Sequence, residues 1–265
     1  MYLDIQNVTY VYRASPDKGG GVTALGGISF GVERGEFVSL LGPSGCGKST
    51  LLRLIDGLTR PTDGRILIDG TEVSGPGPDR AMMFQDFGLM PWRTALANVE
   101  MGLEFGGKPK AERERVAREM IGIVGLKGFE KSYPYQLSGG MRQRIGLARA
   151  LSVSPEMLLM DEPFASVDAQ TRELMHEELL SIWQQFKRTV VFVTHSIDEA
   201  IVLSDRILVL SARPGTIKLE MEVPLPRPRW VTNVRETKEF VMLRAKAWEV
   251  LKQVIQQKPE EGVAE

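Results

Sequence analysis

Gly42-Pro43-Ser44-Gly45-Cys46-Gly47-Lys48-Ser49-Thr50 is the stretch on which the fold turns. It fits the spacing G-x-x-x-x-G-K-[ST]. Before it runs a short, nearly all-apolar segment, 36–41, which reads as a strand covered on both faces. After it the pattern is helical from Lys48 to about Asp56, with Gly57 where a left-handed C-terminal cap belongs. The glycines let the backbone turn tightly, with its N–H groups aimed inward at phosphate oxygens. The helix N-terminus adds positive potential. In this setting Lys48 reaches the β- and γ-phosphates as a point charge, the Ser49 hydroxyl is a ligand for Mg²⁺, and Thr50 lies close to the α-phosphate. A glycine turn that binds nothing is the plain alternative; the lysine and the strand–loop–helix context weigh against it.

Composition narrows the rest. A chain of 265 residues makes one large domain or two small ones. With 43 % hydrophobic and 25 % charged residues it has the balance of an ordinary soluble globular protein. Its 33 basic and 34 acidic residues give a net charge of −1, so no global field favours nucleic acid or an anionic membrane. The single cysteine, Cys46, excludes an intramolecular disulfide and fits a reducing compartment. The start, MYLDIQNVTY, has no basic segment followed by an apolar one, so no signal peptide is expected. No apolar run approaches the ~18 residues needed to span a bilayer. Any membrane process served by this chain needs another chain to do the spanning.

Outward from the loop, strands and helices alternate. Residues 3–12 alternate apolar and polar side chains, as a half-buried strand does. Segment 15–21 is a loop with Pro16, Asp17 and three glycines. Segment 65–68, between Thr62-Asp63-Gly64 and Asp69-Gly70, reads as part of an antiparallel edge sheet. Segments 94–105 and 110–124 are helical, with Gly125 closing the second. Another helix runs from Ser138 to Leu151. Residues 87–151 therefore look like a mostly helical insert in an α/β core. The core resumes with a strand at 157–160, a helix at 171–186 and a strand at 189–193. Ser196-Ile197-Asp198-Glu199 has the capping-box pattern that starts a helix. A strand at 206–210, a turn at 213–215, an extended Pro-Arg stretch at 224–229 and a helix at 236–256 complete the chain. Two more chemical sites emerge from this layout. Asp161-Glu162-Pro163 puts two acids at the C-terminal end of a buried strand, where ligands of open parallel sheets sit. There Asp161 would hold Mg²⁺, directly or through water, and Glu162 would accept a hydrogen bond from an attacking water; a solvated turn is the plain alternative, against which the glycine loop weighs. In Leu137-Ser138-Gly139-Gly140-Met141, Ser138 is an N-cap and the glycines expose N–H groups at a helix start, a second anion-binding terminus. The helical insert separates the two termini along the chain. Trans binding reconciles them: two copies face each other head to tail, each nucleotide lying between one glycine loop and the partner's Ser138 turn.

These motifs identify the chain as similar to the ATP-binding subunits of ABC transporters, whose signature is usually L-S-G-G-Q. Met141 stands where the glutamine is usual, while Ser138, Gly139 and Gly140 are intact, so activity is expected to survive the change. The resemblance covers about 3–215. It implies an α/β fold: a P-loop NTPase with a RecA-like core, an antiparallel β edge sheet and an inserted helical subdomain at about 87–151, followed by a short C-terminal extension at 216–265. It implies ATP and Mg²⁺ as cofactors. It makes Tyr12 the aromatic that stacks on adenine, with Tyr10 as the alternative. Gln85 resembles the glutamine that senses Mg²⁺ and the γ-phosphate and moves with the permease. Ser166-Val167-Asp168 resembles the turn that contacts the partner subunit, and His195 matches the histidine that touches the γ-phosphate. With Lys48, these make Glu162, His195 and Gln85 the catalytic set. The second histidine, His176, is read as a packed residue.

A finer likeness links Gly75-Pro76-Gly77-Pro78-Asp79-Arg80, Met90-Pro91-Trp92 and the Pro-Arg stretch to the importers of nitrate, sulfonates or taurine. The implied partners are a second copy of the chain, membrane permease subunits and, indirectly, a solute-binding protein, with no nucleic acid. The implied location is cytoplasmic, peripheral on the inner face of the cell membrane through the permease. Segment 87–98 either lines the groove for a permease coupling helix or is ordinary core packing around Trp92. Two other classes are weighed. A soluble ABC ATPase acting on nucleic acid or ribosomes usually carries two ATPase domains or a long coiled coil. A P-loop small-molecule kinase lacks the Ser138-type turn and needs an acceptor pocket with a lid. None of these features is found here.

Overall fold

The computed structural model describes residues 1–13, 21–165, 167–229 and 234–256. Most of the loop expected at 15–21, and Ser166, lie outside the described residues. In chain order come strands β1 (Leu3–Tyr12), β2 (Val22–Val32) and β3 (Phe37–Leu41), helix α1 (Lys48–Asp56), then β4 (Asp63–Ile68), β5 (Thr71–Glu72) and β6 (Arg80–Met83). Helices α2 (Ala95–Phe105), α3 (Lys110–Ile123) and α4 (Gly139–Ser152) lead to β7 (Met157–Asp161), α5 (Ala169–Phe186) and β8 (Thr189–Thr194). Helix α6 (Ile197–Leu203), strands β9 (Arg206–Leu210) and β10 (Ile217–Glu222), and helix α7 (Lys238–Gln256) close the described chain. It divides into two compact units, Met1–Pro76 with Val191–Glu265, and Gly77–Val190.

The first unit carries an antiparallel sheet in the order β2-β1-β4-β5. β1 is its spine, pairing Leu3 with Val32 of β2 on one side and with Ile68 of β4 on the other. The sequence pattern does not predict β2. Its Gly26, Gly27 and Gly31 depress strand propensity, and Gly27 takes a φ of 67°. The strand forms because β1 supplies its ladder, with register shifts that absorb the irregularity. Beside this sheet's sequence, β3 pairs in parallel with β9, and β9 in antiparallel with β10. All five residues of β3 are buried, as the apolar run predicts for a strand covered on both faces. Burying a Phe or Leu side chain of this kind stabilises by about 1.5–3 kcal/mol. α1 starts at Lys48 and ends at Gly57, whose φ of 82° is the expected left-handed cap.

In the second unit β6 and β7 pair in parallel, from Arg80 with Met157 to Met83 with Met160. The helices α2, α3 and α4 pack on one another. α2 is capped by the Thr94 hydroxyl, which accepts from the Ala97 N–H at 3.3 Å. Behind it Asn98 is fully buried and bonds four times to the preceding loop: its amide donates to the carbonyls of Met90, Arg93 and Thr94, and its oxygen accepts from the Met90 N–H. That one side chain satisfies the backbone of 90–94 and shapes the segment before the helix. α5 begins two residues earlier than the periodicity suggests, because the Asp168 carboxylate caps the Thr171 N–H at 3.0 Å.

Candidate nucleotide site

In the first unit the glycine loop links β3 to α1. Gly47 has a φ of 101°, a region that favours glycine, and a Cβ there would lie 2.5 Å from Leu25 Cδ2 and 3.0 Å from the Ala24 carbonyl. β2 therefore presses on the loop and leaves no room for any other residue. Lys48 is only 5 % exposed, and its Nζ donates to the carbonyls of Gly42 at 2.8 Å and Pro43 at 3.0 Å. A buried ammonium needs such partners. They hold a positive charge at the loop, beside the N–H groups that open α1, and this is a site built for an anion. Cys46 is buried beneath it, and that burial pushes its thiol up, so it serves as packing rather than as a nucleophile.

The turn at 213–215 is a second buttress that sequence reasoning missed. The Arg213 guanidinium donates to the Gly45 carbonyl at 3.4 Å. Gly215 exchanges backbone hydrogen bonds with Ala24 and Gly26, at 2.8 and 3.0 Å. The signal was present as Arg213-Pro214-Gly215, but only long-range pairing shows what the turn supports. Tyr12, at the end of β1, reaches the same region. Its hydroxyl lies 2.9 Å from the Thr50 hydroxyl, its ring is 44 % exposed, and it packs edge-on against Tyr10 at 4.9 Å. Tyr10 is the more enclosed of the two. His195 is exposed and directly follows β8. The Thr194 hydroxyl before it accepts from the Ser196 N–H at 2.9 Å and donates to the Glu199 carboxylate. The Ser196 hydroxyl caps the Glu199 N–H at 3.3 Å, so α6 begins where the capping pattern puts it.

The second unit holds the remaining predicted residues. Asp161 ends β7 and is 7 % exposed. Glu162 follows with a φ of 45°, a left-handed conformation that costs a non-glycine residue energy and recurs at functional sites. Gln85 is exposed just after β6. Asp168 faces solvent, and the Thr171 backbone N–H holds its carboxyl below the usual range. Ser138 is the N-cap of α4, its hydroxyl accepting from the Met141 N–H at 3.3 Å. A Cβ on Gly139 would meet nothing nearer than Arg142 Nη2 at 4.0 Å, and one on Gly140 nothing nearer than Thr171 Cγ2 at 3.4 Å. His176 is a packed residue, edge-on to the Phe164 ring at 4.9 Å. Trp92 is 72 % exposed, so it does not belong to the core, whereas Phe87, Ala95 and Val99 around it do. Among the described residues no helix is long and apolar enough to cross a membrane.

A glycine loop with a buried lysine between a buried strand and a helix defines a P-loop nucleotide-binding protein. The comparisons narrow the class. The ABC transporter family profile matches residues 25–165. An uncharacterised ABC transporter ATP-binding protein of Methanocaldococcus jannaschii is 53 % identical over 250 residues, 94 % of this chain and 91 % of that one. The nitrate import ATP-binding protein NrtD of Synechocystis sp. is 48 % identical, covering 85 % of this chain and 84 % of its own. The taurine import ATP-binding protein TauB of Rhizobium johnstonii is 45 % identical, over 84 % and 87 %. A solved dimeric ATP-binding cassette, MJ0796, bound to ADP and Pi in a post-hydrolysis state, superimposes with a TM-score of 0.74 at 34 % identity, covering 84 % of this chain and 100 % of that one. The chain belongs to the ABC transporter ATP-binding family, and it is an ATPase of that class.

Proposed function

We propose that two copies of this chain close head to tail on ATP and that hydrolysis drives the import of a small anion, of the nitrate, sulfonate or taurine kind, through a separate membrane permease. The observation that carries the dimer is the pair Gly139 and Gly140. Neither has a left-handed φ, and neither is crowded within its own unit, so their lack of side chains serves something that approaches from outside. Exposed N–H groups at a capped helix start suit phosphate oxygens. The family setting and the dimeric cassette relative point the same way. The importer relatives support the solute class.

In this reading Gly42 to Thr50 cradle the phosphates, Lys48 pairs with the β- and γ-phosphates, and Tyr12 stacks on adenine. The partner copy supplies a second Ser138 turn. Ser49, Gln85 and Asp161 offer only hard oxygen donors, a set that suits Mg²⁺. When bound, Mg²⁺ supplies charge neutralisation of the phosphates. Glu162 accepts a hydrogen bond from the attacking water, and His195, which touches the γ-phosphate, helps to align that water. The transition state spreads negative charge over equatorial oxygens, so the protein acts by positioning and electrostatics. Asp168 contacts the partner subunit, and the exposed Trp92 segment receives the permease. The working site is then the cytoplasmic face of the membrane, with a solute-binding protein as indirect partner. Residues 1–215 form the nucleotide-binding domain, and 216–265 are its extension.

The test is light scattering of Glu162→Gln. With ATP it is expected to run at twice the mass of one chain, and to fall back with ADP. Nucleotide-bound single chains alone would overturn the head-to-tail reading. For the solute, ATPase in vesicles holding the permease is expected to rise with nitrate or taurine and not with a neutral sugar; stimulation by the sugar alone would remove the anion assignment.

A further inference from the structure

The C-terminal extension grips α6 at both of its ends. At the C-terminal end, Arg229 is 3 % exposed, and its Nη1 donates to the carbonyls of Ile201 at 2.8 Å, Val202 at 3.2 Å and Ser204 at 2.6 Å. Its Nη2 donates back to its own strap, to the carbonyls of Val223 at 2.9 Å and Leu225 at 3.2 Å. Arg227 takes the carbonyl left between them, Leu203 at 2.8 Å, and pairs with Asp205 at 2.7 Å. The last carbonyls of a helix have no partner inside it, and its C-terminus favours cations. Burial, then Arg227, pull the Arg229 guanidinium down to about 10, which leaves it charged at neutral pH. At the other end of α6, Arg244 of α7 donates from Nε to Asp198 at 3.1 Å. Asp198 lies in the first turn of α6, whose cap Ser196 directly follows His195. His195, Ser196 and Asp198 line an open cleft of about 610 Å³ together with Val241, Arg244 and Trp248 of α7, so the Arg244–Asp198 pair lies in the wall that His195 shares.

We propose that Arg244 is a positioning residue: with Arg227 and Arg229 holding the far end of α6, the Arg244–Asp198 pair sets the first turn of α6 and so the direction in which His195 points. The extension then tunes ATP turnover from outside the nucleotide loop. The proposal rests on reading His195 as a γ-phosphate contact.

The experiment is steady-state ATPase on the full chain. Arg244→Ala is expected to lower kcat about three- to fivefold at an unchanged KM for ATP, the scale of a partly exposed ion pair. Its thermal midpoint is expected to stay within about 2 °C, because such a pair contributes little to global stability. Amide exchange at 195–199 is expected to quicken. Arg244→Lys, and the exchange Arg244→Asp with Asp198→Arg, are expected to recover kcat. An unchanged kcat in Arg244→Ala, or a loss that neither recovers, overturns the proposal. His195→Ala separates the two ideas. If it loses turnover while Arg244→Ala keeps it, the positioning role alone is wrong. If it turns over like the parent protein, the reading of His195 fails and this proposal with it.

Discussion

The glycine loop at 42–50 and the Ser138 turn at 138–141 each open a helix, the first through a left-handed Gly47 and the second through the Ser138 hydroxyl cap, and their glycines answer to different needs. Gly47 is demanded from within: its φ is 101° and β2 lies against the place where a Cβ would go. Gly139 and Gly140 have no such demand inside their unit, where a Cβ would find ordinary contact or open space. One turn is shaped by the fold; the other is left open by it, as the proposed contact with a nucleotide held by the partner copy requires. A glycine without an internal reason is a better pointer to a ligand than one that backbone geometry requires.

Substitutions can break this comparison. The largest effect is expected at Lys48, the charge around which the first turn is built: Lys48→Ala should lower ATP turnover by at least about 100-fold, as loss of a transition-state charge contact does. Phosphate release measures it, and near-parent turnover would remove the loop from the chemistry. Gly47→Ala comes next. It should cost more than about 1 kcal/mol of stability, since alanine is strained at that φ and meets Leu25. Its thermal midpoint should fall together with turnover. Gly140→Ala sharpens the contrast. Its midpoint should stay at or slightly above the parent value, because alanine favours a helix over glycine by about 1 kcal/mol, while turnover falls at least about tenfold. Equal losses of stability in the two alanine variants would erase the distinction. A smaller effect is expected at Tyr12: Tyr12→Ala should raise the KM for ATP by about tenfold, the scale of one aromatic stack on a base, whereas Tyr12→Phe, which loses only the hydroxyl bond to Thr50, should change it little. Smallest is the response of Cys46. Burial raises its thiol, so alkylation at neutral pH should be slow and should quicken only on unfolding, as mass spectrometry can follow.

Much of this protein is legible without coordinates because its decisive signals are local. The apolar run before Gly42, the motif itself, Gly57 after α1, the Ser196 cap and the Ser138 cap each depend on a few neighbouring residues, and each element forms where the pattern puts it. β2 is the counterexample, since its glycines argue against a strand and only the β1 ladder forms it. β5 and β6 escape for a different reason: two and four residues carry too little periodicity to stand above their surroundings. β10 alternates apolar and polar residues over Ile217–Glu222, a strand signal that sequence reasoning missed.

The list of proposed chemical residues, from Lys48 and Glu162 to His195, is therefore written in the order of the chain, since spacing and caps act over a handful of bonds. What the chain cannot declare in that way is which distant segments lean on those residues. That the Arg213 turn and β2 clamp the glycine loop, that Tyr12 rather than Tyr10 stands open beside Thr50, that Trp92 lies outside the core, and that three arginines of the extension hold α6 are matters of contacts far apart in sequence. Such contacts come from closing long loops and burying surface together, and no short window of residues records them.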